Sequence, residues 1–322
     1  MNDQTTPLSL ENPLGKRLLA WAKERFPLAN GILCIVLYIT AALVGRHLEN
    51  SGPVSISFVD IVGALLCWSF FLVLRVFDEH KDYELDVKNH PQRVLQSGLI
   101  TLGHLKVVGV VAILLQFAWS VYLDKGLGSV TTAWLIMFGW ACLMGKEFFC
   151  GEWLEKRLVL YAFSHMLIMP LIMWWLVQMG QPSANVVALI ITLGALFFVS
   201  GFAFEITRKT RGPDEERETV DSYSKIFGAK GSALVVLILI LTMVVLQYYV
   251  VTQISSSTFW VGAVFLLAGL LISLVSLSKF LKQPSLVGRE RNEKAVAMTM
   301  LFGYGVVIAE VISENGVILT LF

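Results

Sequence analysis

Charge is what this sequence has least of. Charged side chains make up 15% of its 322 residues and hydrophobic ones 56%, with a mean hydropathy of +0.70. A soluble domain of this size has no use for so much apolar surface, so that class is excluded first. Cysteine is scarce too. Cys34, Cys67, Cys142 and Cys150 form no C-x-x-C pair, two of them sit well inside apolar runs, and all four read as small packing residues. Residues 1–28 lack a basic head followed by an apolar core, so no cleavable signal is expected. Residues 8–26 read instead as an amphipathic helix lying on a membrane surface.

What is present is a series of apolar runs near the roughly 20-residue length that crosses a bilayer. Nine are expected: 29–46, 54–76, 104–123, 129–147, 158–177, 184–206, 231–252, 259–280 and 295–314. Lys146, Glu147 and Glu310 intrude near the ends of the fourth and ninth. With the N-terminus inside, 23 of the 25 basic residues fall on the cytoplasmic side, and only Arg46 and Lys125 fall outside. That asymmetry predicts the orientation, and a missed span would scramble it. Nucleic acid is an improbable partner, because the basic residues alternate with acidic ones in short loops close to the bilayer. The expected architecture is an all-α integral membrane bundle of nine helices with two acidic cytoplasmic loops. Residues 1–28 form a cytoplasmic segment and 29–322 a single domain. No organelle address is visible, so a bacterial-type inner membrane is the default location.

The first acidic loop begins where the second span stops. Asp78, Asp82 and Asp86 repeat every fourth residue, which on a helix stacks them along one face. Like charges so placed repel, unless a cation sits among them; Mg²⁺ suits, being hard, oxygen-seeking and commonly shared between carboxylates and substrate phosphates. The alternative is a helix end dissolving into a solvated acidic loop. The second loop, after the sixth span, carries Glu205, Asp214 and Glu218 among Arg208, Lys209, Arg211 and Arg217. Phe77-Asp78 and Phe204-Glu205 hold equivalent places four spans apart, as in a duplicated four-helix unit. Two acidic clusters on one membrane face could each hold a metal ion and together grip a diphosphate, with Arg and Lys neutralising the rest. An acidic and basic rim over an apolar interior suits an amphiphile with a diphosphate head and an isoprenoid tail.

Residues 78–86 resemble the N-D-x-x-D-x-x-x-D motif of the UbiA superfamily of intramembrane prenyltransferases. Asp82 and Asp86 match its later aspartates, while Asp78 stands in the place of Asn and Glu79 in that of Asp. Asn89 to Gly98 is similar to the family's N-x-x-x-R-P-x-x-x-G segment, with Val94 for Pro. The second motif, usually D-x-x-x-D, is matched by Asp214 and Glu218, with Glu205 for an earlier aspartate and Asp221 as a spare. Of the family's Tyr-x-x-x-Lys, Lys146 is kept and Cys142 replaces Tyr.

The resemblance implies a Mg²⁺-dependent transfer of an isoprenoid group from a prenyl diphosphate to an aromatic or lipid acceptor. Asp78, Asp82 and Asp86 would be the catalytic metal-binding set, Glu205, Asp214 and Glu218 the second. Arg93, Lys146 and Lys209 would contact the diphosphate. Glu79 and His80 are weaker candidates, and His165, a polar residue within a span, marks a cavity or a packing hydrogen bond. A membrane terpene cyclase of the same fold is the nearer alternative. An ion-binding transporter is the further one, but the span centres are nearly bare of the charges transport uses.

Overall fold

The structure is a computed structural model and describes residues 8–49, 52–217, 221–255 and 260–321. In chain order its helices are α1 (Leu14–Arg25), α2 (Ala29–Glu49), α3 (Phe58–Lys81), α4 (Tyr83–Asn89), α5 (Leu102–Asp124), α6 (Ser129–Gly145), α7 (Gly151–Glu155), α8 (Leu158–Met166), α9 (Ile168–Gly180), α10 (Ala188–Arg208), α11 (Tyr223–Ile254), α12 (Trp260–Lys282) and α13 (Leu286–Asn315). Among the described residues, eight helical stretches are long and apolar enough to cross a membrane, α8 and α9 together counting as one. α6, at 17 residues, is the shorter ninth member of the expected set. The protein is therefore an all-α, multi-pass integral membrane protein.

Local chemistry explains where the helices begin and break. Ser57 caps α3: its hydroxyl accepts from the Val59 amide at 3.2 Å, and Asp60 accepts from the Ser57 amide at 2.8 Å. The fifth span is cut between α8 and α9, because Pro170 has no N–H to give the carbonyl of Met166 and its ring crowds that carbonyl. Gly228 bends α11 with φ of 70°, which costs a glycine little. Gly180 lets α9 lie against α2, since a Cβ there would come within 2.3 Å of the Ala42 Cα. The last helix starts at Leu286, nine residues before the apolar run expected at 295. Its charged first turns are held by Ser285, whose hydroxyl accepts from the Gly288 amide, and by an Arg289–Glu293 pair.

The two membrane ends differ. At one, here the far end, Arg46 is buried and its guanidinium spans α2, α3 and α9. It donates to Asp60 Oδ1 at 2.7 Å, to the Gly180 carbonyl at 3.0 Å and to the Ser55 carbonyl at 2.5 Å. Tyr38 donates to the same Asp60 at 3.0 Å. Two short parallel strands, β1 (Val54–Ile56) and β2 (Val317–Leu319), pair beside this cluster with Val54 opposite Val317, a ladder the all-helical expectation did not contain. The opposite, charged end carries both acidic loops.

The helix expected on the membrane surface starts at Leu14 and packs on the protein. Trp21 is buried against Val76, Leu95, Ile100 and Leu105, and Arg17 donates to the Leu99 carbonyl at 2.7 Å. α1 therefore lies over the first acidic loop, leaving Leu10, Leu14 and Leu19 on its outer side. Phe70 and Trp175 are fully buried and meet edge to face in the core.

Candidate active site

α3 outruns the apolar core by about one turn, and that turn carries the acidic motif. The helical path barely pauses: Asp82 N donates to the Asp78 carbonyl and Asp86 N to the Asp82 carbonyl, both at 2.8 Å. The four-residue repeat read from the sequence thus holds in space, with α3 handing over to α4 at Asp82. Glu79, one residue off this line, turns inward. Its side chain is fully buried and takes Arg25 Nε at 2.7 Å and Arg75 Nη2 at 2.6 Å. Arg25 also reaches Asp86 at 3.3 Å, so one guanidinium ties α1 to α3 and α4. Burial works against that charge, but the hydrogen bond and charge of Glu79, then of Asp86, outweigh it and raise the Arg25 pKa. Arg93 completes the frame with Asp86 at 2.9 Å and Glu24 at 3.7 Å.

Asp78 and Asp82 are left facing outward. Asp78 has only Arg75 at 3.8 Å, and its side chain is 57% exposed. Asp82 is exposed as well. The protein crowded around Asp82 raises its pKa above the usual aspartate range, and Asp86, Glu147 and Glu79 add to this while Lys81 opposes it. These are two carboxylates short of positive charge.

A second group of residues closes the space between the loops. Lys81 pairs with Glu147 and donates to the Tyr161 hydroxyl at 2.5 Å, with its ammonium 5.0 Å from the ring centre. Lys209, from the end of α10, lies 5.9 Å from the same ring and pairs with Glu205 at 2.9 Å. Arg208 holds the other oxygen of Glu205 at 2.7 Å and is within electrostatic range of Asp78. Tyr161 stacks on His165 with centroids 3.9 Å apart. Glu147 stands on a tight turn in which Glu147, Phe148 and Phe149 all take positive φ, between 47° and 57°. Left-handed backbone costs a non-glycine residue on the order of 1–2 kcal/mol. Phe148, edge-on to Trp140 and His165, helps to hold it.

The other expected residues are placed differently. Asp214 accepts from the Leu286 amide at 3.1 Å, at the start of α13. Glu218 lies outside the described residues. Lys146 is exposed at the end of α6 and, among the described residues, joins no ion pair. His80 is bonded to its own helix at the Val76 carbonyl. Lys81, Glu147 and Tyr161 are the members that the motifs did not single out, Glu147 showing only as a charge that interrupts an apolar run; Arg208 was visible among the basic residues of the second loop.

Among the described residues, no three carboxylate, imidazole or thiol groups converge to hold a metal ion by themselves. The chemistry of the exposed pair nevertheless fits Mg²⁺, which keeps several waters and binds through one or two carboxylates plus phosphate oxygens. The arrangement offers two exposed carboxylates, one of them only loosely paired with Arg75, on one side and Lys81, Lys209 and Arg208 on the other. It is suited to a metal-bridged polyphosphate.

Comparison with known proteins bears on the fold and the family. A solved structure of a digeranylgeranylglyceryl phosphate synthase in membranes is similar, with a TM-score of 0.60 over 92% of this chain and 99% of that one, at 17% identity. At that identity the likeness speaks for the fold alone. No curated protein matches the chain. The sequence profile of the UbiA prenyltransferase family matches residues 33–287. The chain belongs to the UbiA prenyltransferase family.

Proposed function

We propose that this membrane prenyltransferase takes an isoprenoid group from a prenyl diphosphate and passes it to a hydrophobic or aromatic acceptor, with Mg²⁺ as cofactor. The observation that carries the reading is the convergence of Lys81 from the first loop and Lys209 from the second on one ring, Tyr161, beside the exposed Asp78 and Asp82. In this reading Asp78 and Asp82 hold Mg²⁺, with Asp86 steadied behind them by Arg25 and Arg93. Glu205, Asp214 and Glu218 are the second loop's candidates to hold a second Mg²⁺. Arg93, Lys146 and Lys209 supply positive charge to the diphosphate. Bound Mg²⁺ would neutralise charge on the phosphates. The domain is residues 29–322 behind a short leading segment, with the charged end and the N-terminus in the cytoplasm of a bacterial inner membrane.

The reaction follows from the charges. The allylic C–O bond breaks and its electron pair leaves with the diphosphate, where Lys81, Lys209 and Arg208 oppose the growing negative charge. The apolar bundle keeps water from the allylic cation. The acceptor's nucleophilic atom then bonds to that carbon and gives up its proton.

Purified protein offered geranyl, farnesyl and geranylgeranyl diphosphate, with Mg²⁺ or EDTA, tests this. Diphosphate release that needs both Mg²⁺ and an added acceptor is expected. Equal release in EDTA would remove the metal. A cyclic hydrocarbon made without acceptor would replace transfer by cyclisation.

A further inference from the structure

The outer seam between α12 and α13 is a groove of about 440 Å³ on a face that the candidate active site does not use. Its walls are exposed apolar side chains of two spanning helices: Leu271, Ile272 and Val275 from α12 and Met298 from α13. It runs toward the charged end, where a second hollow of about 410 Å³ shares Lys279 and Arg291 with it. Lys282 lines that hollow and Lys294 the groove. Four cations therefore sit at the head of an apolar slot.

None of the four is paired with a carboxylate of the described residues. Two nearby acids are engaged elsewhere, Arg289 taking both Glu215 and Glu293, while Glu290 is exposed on α13. The Arg291 Nε is buried and has no hydrogen-bond partner. A guanidinium N–H withdrawn from water without an acceptor is costly, and the acceptor that the groove can admit is an anionic oxygen.

We propose that this groove binds one anionic glycerophospholipid of the bilayer, its headgroup phosphate held by Arg291, Lys279 and Lys294 and an acyl chain laid along Leu271, Val275 and Met298. Clustered basic residues at the membrane surface favour such lipids, and here the slot beside them gives the chain a place. The site is independent of prenyl transfer, so its test does not use activity. Native mass spectrometry of the purified protein, given equal amounts of phosphatidylglycerol and phosphatidylcholine of matched chains, is expected to show one phosphatidylglycerol retained in preference.

Lys279→Gln/Lys294→Gln, two exposed positions that leave the core untouched, should lower that preference roughly fivefold for each charge removed. Arg291→Gln should lower it further, and Lys16→Gln/Lys23→Gln, removing two exposed charges of α1, should leave it unchanged. Equal retention of both lipids would overturn the proposal, as would a loss in the α1 variant matching that in the groove variant. Displacement of the lipid by an equimolar amount of farnesyl diphosphate would assign the groove to substrate and overturn it as well.

Discussion

The two acidic loops have similar composition and opposite fates. In the first, α3 runs past the core and the arginines go to Glu79 and Asp86, which leaves Asp78 and Asp82 underneutralised. In the second, most of the described acids are already in use, although Asp221 is exposed and, among the described residues, joins no ion pair. Glu205 is shared by Arg208 and Lys209, Asp214 meets the first turn of α13, Glu215 pairs with Arg289, and Glu216 accepts from Ser222 at 2.7 Å. The lesson is that the number of carboxylates in a loop does not set its capacity for a cation. What counts is how many remain after the local arginines and helix ends have been served.

That contrast can be broken by substitution. Asp82→Ala should lower diphosphate release by roughly 10²–10³-fold, the usual scale for losing an electrostatic partner of the transition state. Its elution profile in detergent should match that of the unaltered protein, since Asp82 is exposed and, among the described residues, holds no ion pair. Retained activity would make the first loop no more special than the second.

Acid should weaken divalent binding next. The pKa of Asp82 is raised, so it takes up its proton at a higher pH than an ordinary aspartate, and the protonated form no longer attracts a cation. Mn²⁺ titration should show affinity falling as the pH is lowered, beginning above the usual aspartate range, and more steeply in the unaltered protein than in Asp82→Asn. Parallel curves would place the metal elsewhere. The smallest effect belongs to the second loop. Glu215→Gln should cost about 1 kcal/mol of stability, because Arg289 keeps Glu293, and should leave turnover near normal. A thermal melt beside the activity assay separates this from a catalytic loss of the Asp82 kind, which would make the two loops equivalent.

The spans were legible because hydropathy is a property of consecutive residues. The break before Pro170 and the short α6 shift boundaries without changing the order. The first acidic line was legible for the same reason, its repeat being local. Glu79 was not: Arg75, four residues earlier, is visible as a local partner, but its full burial also rests on Arg25, 54 residues earlier, which no local pattern announces. Tyr161 escaped because nothing in its neighbourhood along the chain announces Lys81 or Lys209. The start of α13 was misjudged because its first turns are charged and are held by pairing and capping rather than by apolar length.

The pairing of β1 with β2 bears on how the chain is made. Val54 is hydrogen-bonded to Gly316 and opposite Val317, so the strand after the first span waits for the last residues to be synthesised. His47 is likewise joined to Asn315 at 2.6 Å. Contacts of such sequence separation form late, since the loop they close is nearly the whole protein. Assembly of the far end therefore comes late: the helices α3 to α13 must be inserted before the end of α2 and the end of α13 can be fastened together.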